Sequence, residues 1–285
     1  MTAWPANYAG DHTIAAEVEL SGVGLHSGAL CRLRLLPSAR PGYRLGWLDQ
    51  PATEALPLTP AQVCDTTLCT ALQLGDRRLA TVEHLLAALA GTGVSRAEIR
   101  AQGPEVPLLD GSALPWVEAI ASVGLQALPF QPPRPELRQP LTVHGGGGFV
   151  TALPAEDLHL GAAIEFAEPA IGRQVFSLTL TPASFVAEIA PARTFGLRSQ
   201  VEQLRAAGLI QGGALHNALV CDGRHWLNPP LRYGDEPVRH KILDLLGDLA
   251  LVGLPRAQVF AFRGSHRLHT ALASALAAEH ALLPA

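Results

Sequence analysis

A chain of 285 residues, 48% hydrophobic and 16% charged, is long enough for two domains and a large core, and its composition excludes a disordered class. A net charge of −4 offers no basic field for nucleic acid or an anionic bilayer, so the expected partner is a small molecule. Cys31, Cys64, Cys69 and Cys221 lack CxxC spacing and read as reduced thiols; with neither a secretory leader nor an apolar run of membrane-spanning length, the expected setting is the cytoplasm, with no integral membrane segment.

From His12 to Leu36 the pattern is strand, turn, strand: HTIAAEVEL, the glycine-rich SGVGLHSG, then ALCRLRLLP, where Cys31, Leu33 and Leu35 alternate with Arg32 and Arg34. Gly22, Gly24 and Gly28 around His26 mark a tight turn or a close backbone approach, and His26 reads equally as a turn residue or a site residue. After a Pro-rich loop region, strands near TTLCTAL and RRLATV lead into EHLLAALAGTGV, an apolar helix from about Val82 stopped by Gly91 and Gly93. Glu83 and His84 open that helix, where side chains can emerge into a cleft, although a glutamate near a helix N-terminus is favoured in any case. A strand from Arg96 to Arg100 follows, then the turn Asp110-Gly111-Ser112 and a helix from near Leu114 with Pro115 in its first turn. Asp110 reads first as a turn aspartate and second as a ligand contact.

Residues 128–140, LPFQPPRPELRQP, carry five prolines in thirteen positions and read as a linker. Beyond it the first half is repeated in outline: strands LTVHG, GFVTALP, HLGAAIEF and VFSLTLT, then the PARTFG segment, a helical SQVEQLRAAG, and hairpin strands ALHNALVC and HWLN. A helix from Val238 to Gly253, a strand AQVFAFRG and a last helix from Ser265 to Ala278 complete the chain.

The Val238–Gly253 helix carries the densest chemistry. His240, Asp244 and Asp248 fall at i, i+4 and i+8 and share one face, while Ile242, Leu243, Leu245, Leu246, Leu249 and Leu251 cover the other sides. An imidazole and two carboxylates on a buried helix are costly unless a cation neutralises them. Lys241 is the only lysine among 21 Lys and Arg residues, which suggests a task that a guanidinium cannot perform.

Catalytic zinc takes about three protein ligands from His, Asp, Glu and Cys. His240 and Asp244 would supply two, although a His and an Asp one turn apart also form ordinary helix pairs. His84 is the best third candidate, because Glu83 beside it could serve as a general base. His266, opening a helix after a glycine turn, can point into a cleft or simply cap the helix. His12, His144, His159, His225, His269 and His280 are less convincing as ligands, and most read as bland.

GVGLHSG, TVEHLLAALAG, PLLDGSALPW, ARTFG, GLIQGGALHNALV, LRYGDEPVRHKILDLLGDLALVG and GSHRLHTAL occur in an order and spacing that resembles the UDP-3-O-acyl-N-acetylglucosamine deacetylases, the zinc amidases of lipid A synthesis. The resemblance implies an α+β fold of two similar domains, residues 1–130 and 138–285, each a β-sheet layered with helices, with the active site in the cleft between them. It implies His84, His240 and Asp244 as ligands of Zn2+, with Fe2+ also suited to such donors. It further implies Glu83 as base toward the attacking water, Thr194 and Lys241 at the developing oxyanion, and His266, oriented and kept charged by Asp248, as acid toward the departing amine. Phe195, Val201, Ile210, Ala214 and Ala218 are implied as walls of a passage for the substrate's acyl chain. The implied partner is an acylated UDP-amino sugar, handled by a monomer. Family members often carry a lysine near the start of the second domain, where this chain has RQPLTVHGGGG, and Arg138 is the candidate substitute. That departure keeps two other readings in view: a zinc hydrolase of a related N-acyl sugar, and a non-catalytic nucleotide-sugar-binding homologue.

Overall fold

The computed structural model describes residues 4–129 and 137–281, and the side chains of His280 and Ala281 lie outside the description, as does most of the Pro-rich segment read as a linker. The first half builds a five-stranded sheet from β1 (Val18–Val23), β2 (Leu30–Pro37), β3 (Gly42–Trp47), β4 (Leu56–Pro57) and β5 (Arg96–Gln102). Helix α1 (Glu83–Gly91) precedes β5 and α2 (Leu114–Val123) follows it. The second half builds another from β6 (Leu141–Gly145), β7 (Gly148–Pro154), β8 (His159–Glu165), β9 (Arg173–Thr179) and β10 (Ala257–Phe262). Its helices are α3 (Arg198–Ala206), α4 (Glu236–Leu249) and α5 (His266–Ala281).

The two sheets share one topology, β1-β2-β5-β3-β4 in the first and β6-β7-β10-β8-β9 in the second. In each, a single parallel pair, β3 with β5 and β8 with β10, sits among antiparallel neighbours. Parallel neighbours need a crossover, and the crossovers carry α1 in one half and α4 in the other. Each crossover also holds a small three-stranded insertion, at 63–79 in the first half and 195–226 in the second. The chain is thus mixed α+β, and among the described residues no helix is long and apolar enough to cross a membrane.

Sequence patterning accounts for how the layers meet. In β2 the alternation holds, with Cys31, Leu33 and Leu35 inward and Arg32 exposed. Every residue of α1 is buried, and α4 is buried nearly all round. The two helices pack against each other, and the approach is close because of Gly247: a Cβ there would lie 2.0 Å from the Glu83 carbonyl oxygen. One apolar cluster runs through both halves, joining Leu33, Ile99 and Trp116 to Ile242, Val259 and Leu272.

Three local expectations are corrected. HTIAAEVEL is not one strand but two, His12–Ile14 and Val18–Val23, paired to different partners. TTLCT is a turn, with Leu68 held at a left-handed φ of 63°, and strand resumes only at Ala71. Ala214–Ala218 turns instead of extending, because the Asn217 side chain accepts from the Ala214 backbone N–H at 2.8 Å and offers the chain a local alternative to a ladder.

Candidate metal and active site

A cavity of about 630 Å3 opens where the first turns of α1 and α5 meet the middle of α4. Glu83 and His84 come from α1, His240, Lys241 and Asp244 from α4, and His266 from the start of α5, all on its wall. Thr194 and Phe195 line it from the segment before α3. Val201, Ile210, Ala214 and Ala218 line it too, together with Leu204, Leu215 and Leu227, with Arg198, Gln200, Glu202 and Arg205 among them. Asp248 is fully buried and reaches the cavity only through His266.

His84, His240 and Asp244 present one ligand atom each, all within 4.8 Å of one another. His240 Nδ1 donates to the Ala192 carbonyl at 3.0 Å, which leaves the lone pair of the neutral ring on Nε2, 3.3 Å from Asp244 Oδ1. His84 Nε2 is 3.7 Å from the same oxygen. Lys241 Nζ donates to the other oxygen, Oδ2, at 2.9 Å. Oδ1 is therefore a buried carboxylate oxygen with no hydrogen-bond partner, facing two imidazole nitrogens. Burial, aided by the neighbouring His240, pushes His84 down to about 3, and burial lowers His240 as well, so both rings are neutral at pH 7. Burial alone would raise Asp244, but Lys241 and the surrounding histidines outweigh it and hold the carboxyl well below its usual range. Two neutral imidazoles and a carboxylate around an orphaned oxygen fit a divalent zinc-type cation by donor chemistry.

A second group, Asp248, His266 and His269, is equally compact, but its carboxylate is already satisfied. Asp248 Oδ2 accepts from His266 Nδ1 at 2.9 Å and from His269 Nδ1 at 3.0 Å, and Oδ1 accepts from the Thr70 hydroxyl. Burial works against charge on His266, yet Asp248 and Glu83 outweigh it and raise the imidazole to about 9. Glu83 Oε1 lies 3.9 Å from His266 Nε2, and its Oε2 accepts the Thr70 backbone N–H at 3.0 Å. Burial pushes Glu83 up to about 8, with Asp248 and Asp244 adding to the rise. A divalent cation on the adjacent ligands favours the carboxylate form. The site thus sets a carboxyl group and a cationic imidazole side by side, 3.9 Å apart, on the wall of one cavity.

The surrounding loops are pinned by carboxylates that sequence reasoning passed over. Glu105 accepts from the backbone N–H groups of His26 and Ser27 and from the Ser27 and Thr81 hydroxyls, fixing the turn that holds His26 against the cavity. Neither His26 ring nitrogen has a hydrogen-bond partner among the described residues, and burial lowers its pKa. Glu236 is fully buried and takes Arg193 and the Arg232 backbone N–H, clamping the loop that carries Thr194. Thr194 donates its backbone N–H to Gly111 at 2.7 Å. Asp110 is a turn aspartate, bonded to Ser112 and ion-paired to Arg232, as its commoner reading has it. His269 is not bland: it is 1% exposed and bonded to Asp248. The signal was its i+3 spacing from His266, which puts both on one helix face.

Comparisons with known proteins identify the family. A family model described as "LpxC: UDP-3-O-acyl N-acetylglycosamine deacetylase" matches residues 11–278. The UDP-3-O-acyl-N-acetylglucosamine deacetylase of Thermosynechococcus vestitus is 50% identical over 269 residues, covering 93% of this chain and 93% of that protein. The Nostoc sp. enzyme of the same name is 48% identical over 274 residues, covering 94% and 98%. An Arabidopsis thaliana relative, named as a probable mitochondrial deacetylase of this kind, is 39% identical over 283 residues, covering 92% and 86%. With a family match over nearly the whole chain and relatives at this identity, the protein belongs to the UDP-3-O-acyl-N-acetylglucosamine deacetylase family.

Proposed function

We propose that the protein hydrolyses the N-acetyl group of UDP-3-O-acyl-N-acetylglucosamine, releasing acetate, as a metal-dependent amidohydrolase of lipid A biosynthesis. The observation that carries this reading is the orphaned Asp244 Oδ1 between two neutral imidazoles, beside a Glu83–His266 pair in a cavity that Val201, Ile210, Ala214 and Ala218 also line.

His84, His240 and Asp244 would hold zinc, or ferrous iron, which supplies Lewis acidity toward a water and an amide carbonyl. Glu83 takes a proton from the attacking water. Thr194 offers a hydroxyl and Lys241 an ammonium to the carbonyl oxygen as negative charge develops there. An amide nitrogen leaves poorly unless protonated, and His266, held cationic by Asp248, gives it that proton as the C–N bond breaks. Phe195, Val201, Ile210, Ala214 and Ala218 receive the acyl chain; their place on the cavity wall supports the assignment.

The diphosphate end lacks the lysine common in the family. Arg263 and Arg267, exposed like Arg138, are the better substitutes, because they flank the Gly264–His266 wall and reach the glycine turn at 145–148. The matching topologies of the two sheets support a division into two domains, 1–130 and 138–285, with the site in the cleft between them. A monomer suffices, since every group named comes from one chain, and a nucleotide-activated sugar as substrate favours the cytoplasm. The test is acetate release from UDP-3-O-acyl-N-acetylglucosamine by purified protein with and without a chelator. Release abolished by chelation, restored by zinc and lost in Glu83→Ala is expected; no release at any metal loading refutes the activity, and release only from another N-acyl sugar reassigns the substrate.

A further inference from the structure

Two imidazoles share one oxygen of Asp248. His266 and His269 stand three residues apart on the first turn of α5, and their Nδ1 atoms lie 2.9 and 3.0 Å from Asp248 Oδ2. His269 is 1% exposed, and its Nε2 has no hydrogen-bond partner among the described residues. The ring is wedged where only a glycine fits: a Cβ on Gly264 would stand 2.6 Å from that Nε2. A carboxylate oxygen only accepts, so Nδ1 of His269 carries the hydrogen. Burial keeps the ring neutral, which leaves Nε2 bare.

We propose that His269 is a positioning residue that, through its Nδ1–H bond to Asp248 Oδ2, fixes the carboxylate and loosens its hold on the His266 proton, so that His266 can release that proton to the departing nitrogen. The inference rests on the reading of His266 as the acid. An oxygen that accepts two N–H donors divides its charge between them. The carboxylate left after proton transfer gains more from the His269 bond than the carboxylate still paired with a cation, so this donor lowers the proton affinity of the His266–Asp248 pair. The groups that face His266 otherwise are Glu83 and His84 on α1, His240, Asp244 and Asp248 on α4, and His26 in the turn after β1. The three carboxylates hold the proton and the histidines oppose it. Of the neighbours on other elements, only Asp248 makes a hydrogen bond to the His266 ring among the described residues.

Long-range 15N–1H correlation on the wild-type enzyme reads the His269 tautomer without any substitution. A neutral Nδ1–H ring at pH 7 is expected; an Nε2–H ring, or a cation, overturns the proposal. The second arm is kcat/KM against pH for wild type, His269→Leu and His269→Asn. Loss of the donor in His269→Leu moves the basic limb up by about one pH unit and lowers kcat about tenfold. His269→Asn, whose amide N–H stands where Nδ1 was, restores both. A basic limb unmoved in a folded His269→Leu enzyme overturns the proposal, because a merely structural role would not shift it. If no acetate is released by the wild type, the failure falls on the deacetylase reading, and the tautomer still decides the hydrogen bond.

Discussion

Gly247→Ala tests whether the crossing of α1 and α4 is what sets the metal site. The new methyl carbon would start 2.0 Å from the Glu83 carbonyl oxygen, against ordinary contact from 3.4 Å, so the helices must separate by about 1.4 Å, the difference between the two. Alanine returns roughly 1 kcal/mol of helix propensity at a mid-helix glycine. Overpacking a buried helix crossing costs about 1–3 kcal/mol, and the 1.4 Å displacement puts this crossing at the upper end, so the net effect is a loss of about 2 kcal/mol. That corresponds to a fall in Tm of a few degrees, roughly 2–4 °C per kcal/mol for a chain of this size. The site suffers more than the fold. Metal–ligand distances tolerate about 0.2 Å, and His84 stands on one helix while His240 and Asp244 stand on the other, so the three proposed ligands would no longer meet. Misplacement of this order costs about 100-fold in rate. Zinc content by elemental analysis, thermal unfolding of the metal-stripped protein and acetate release together check the argument. A Gly247→Ala protein with wild-type zinc content and wild-type Tm would show that the helix crossing does not set the site.

Other substitutions separate the roles within the site. Asp244→Ala is expected to lose most bound metal while Asp248→Ala keeps it; equal loss in both would place Asp248 among the ligands. His266 has its folded pKa raised to about 9, so its cation, with the stability it contributes, is fully present below the ordinary value near 6.5 and is lost as pH rises through about 9. Activity should therefore fall on a basic limb near that value, and Asp248→Asn should move the limb downward; a limb that stays in place disconnects Asp248 from the acid. Arg267→Ala should raise KM with little change in kcat, and the increase should shrink at high salt if the guanidinium meets a diphosphate. Burial, with Glu83 adding, pushes the Cys69 thiol up to about 12, while Cys64 is exposed. Iodoacetamide at pH 8 should alkylate Cys64 and spare Cys69 in the native protein, as read by peptide mass mapping, and fast labelling of Cys69 would mean that the turn at 66–70 opens.

The sequence by itself determined the local chemistry. A period of 3.6 residues put His240, Asp244 and Asp248 on one face of a helix whose other positions are apolar, and that burial made a bound cation the natural reading. The alternation in β2 and the glycine stop after α1 were legible for the same reason, since each depends on neighbours within a few residues. What joined His84 to His240 across 155 intervening positions was the likeness of motifs to a known family, because no local period spans that distance. Only the tertiary structure decided which oxygen of Asp244 is left unpaired, that Gly247 lets the two ligand helices touch, and that Asp248 serves two histidines at once. His269 reads as an ordinary polar position on a helix until Gly264 and α4 close around it. Its environment is made by contacts distant in sequence, and a periodic pattern on one helix carries no record of what packs against that helix.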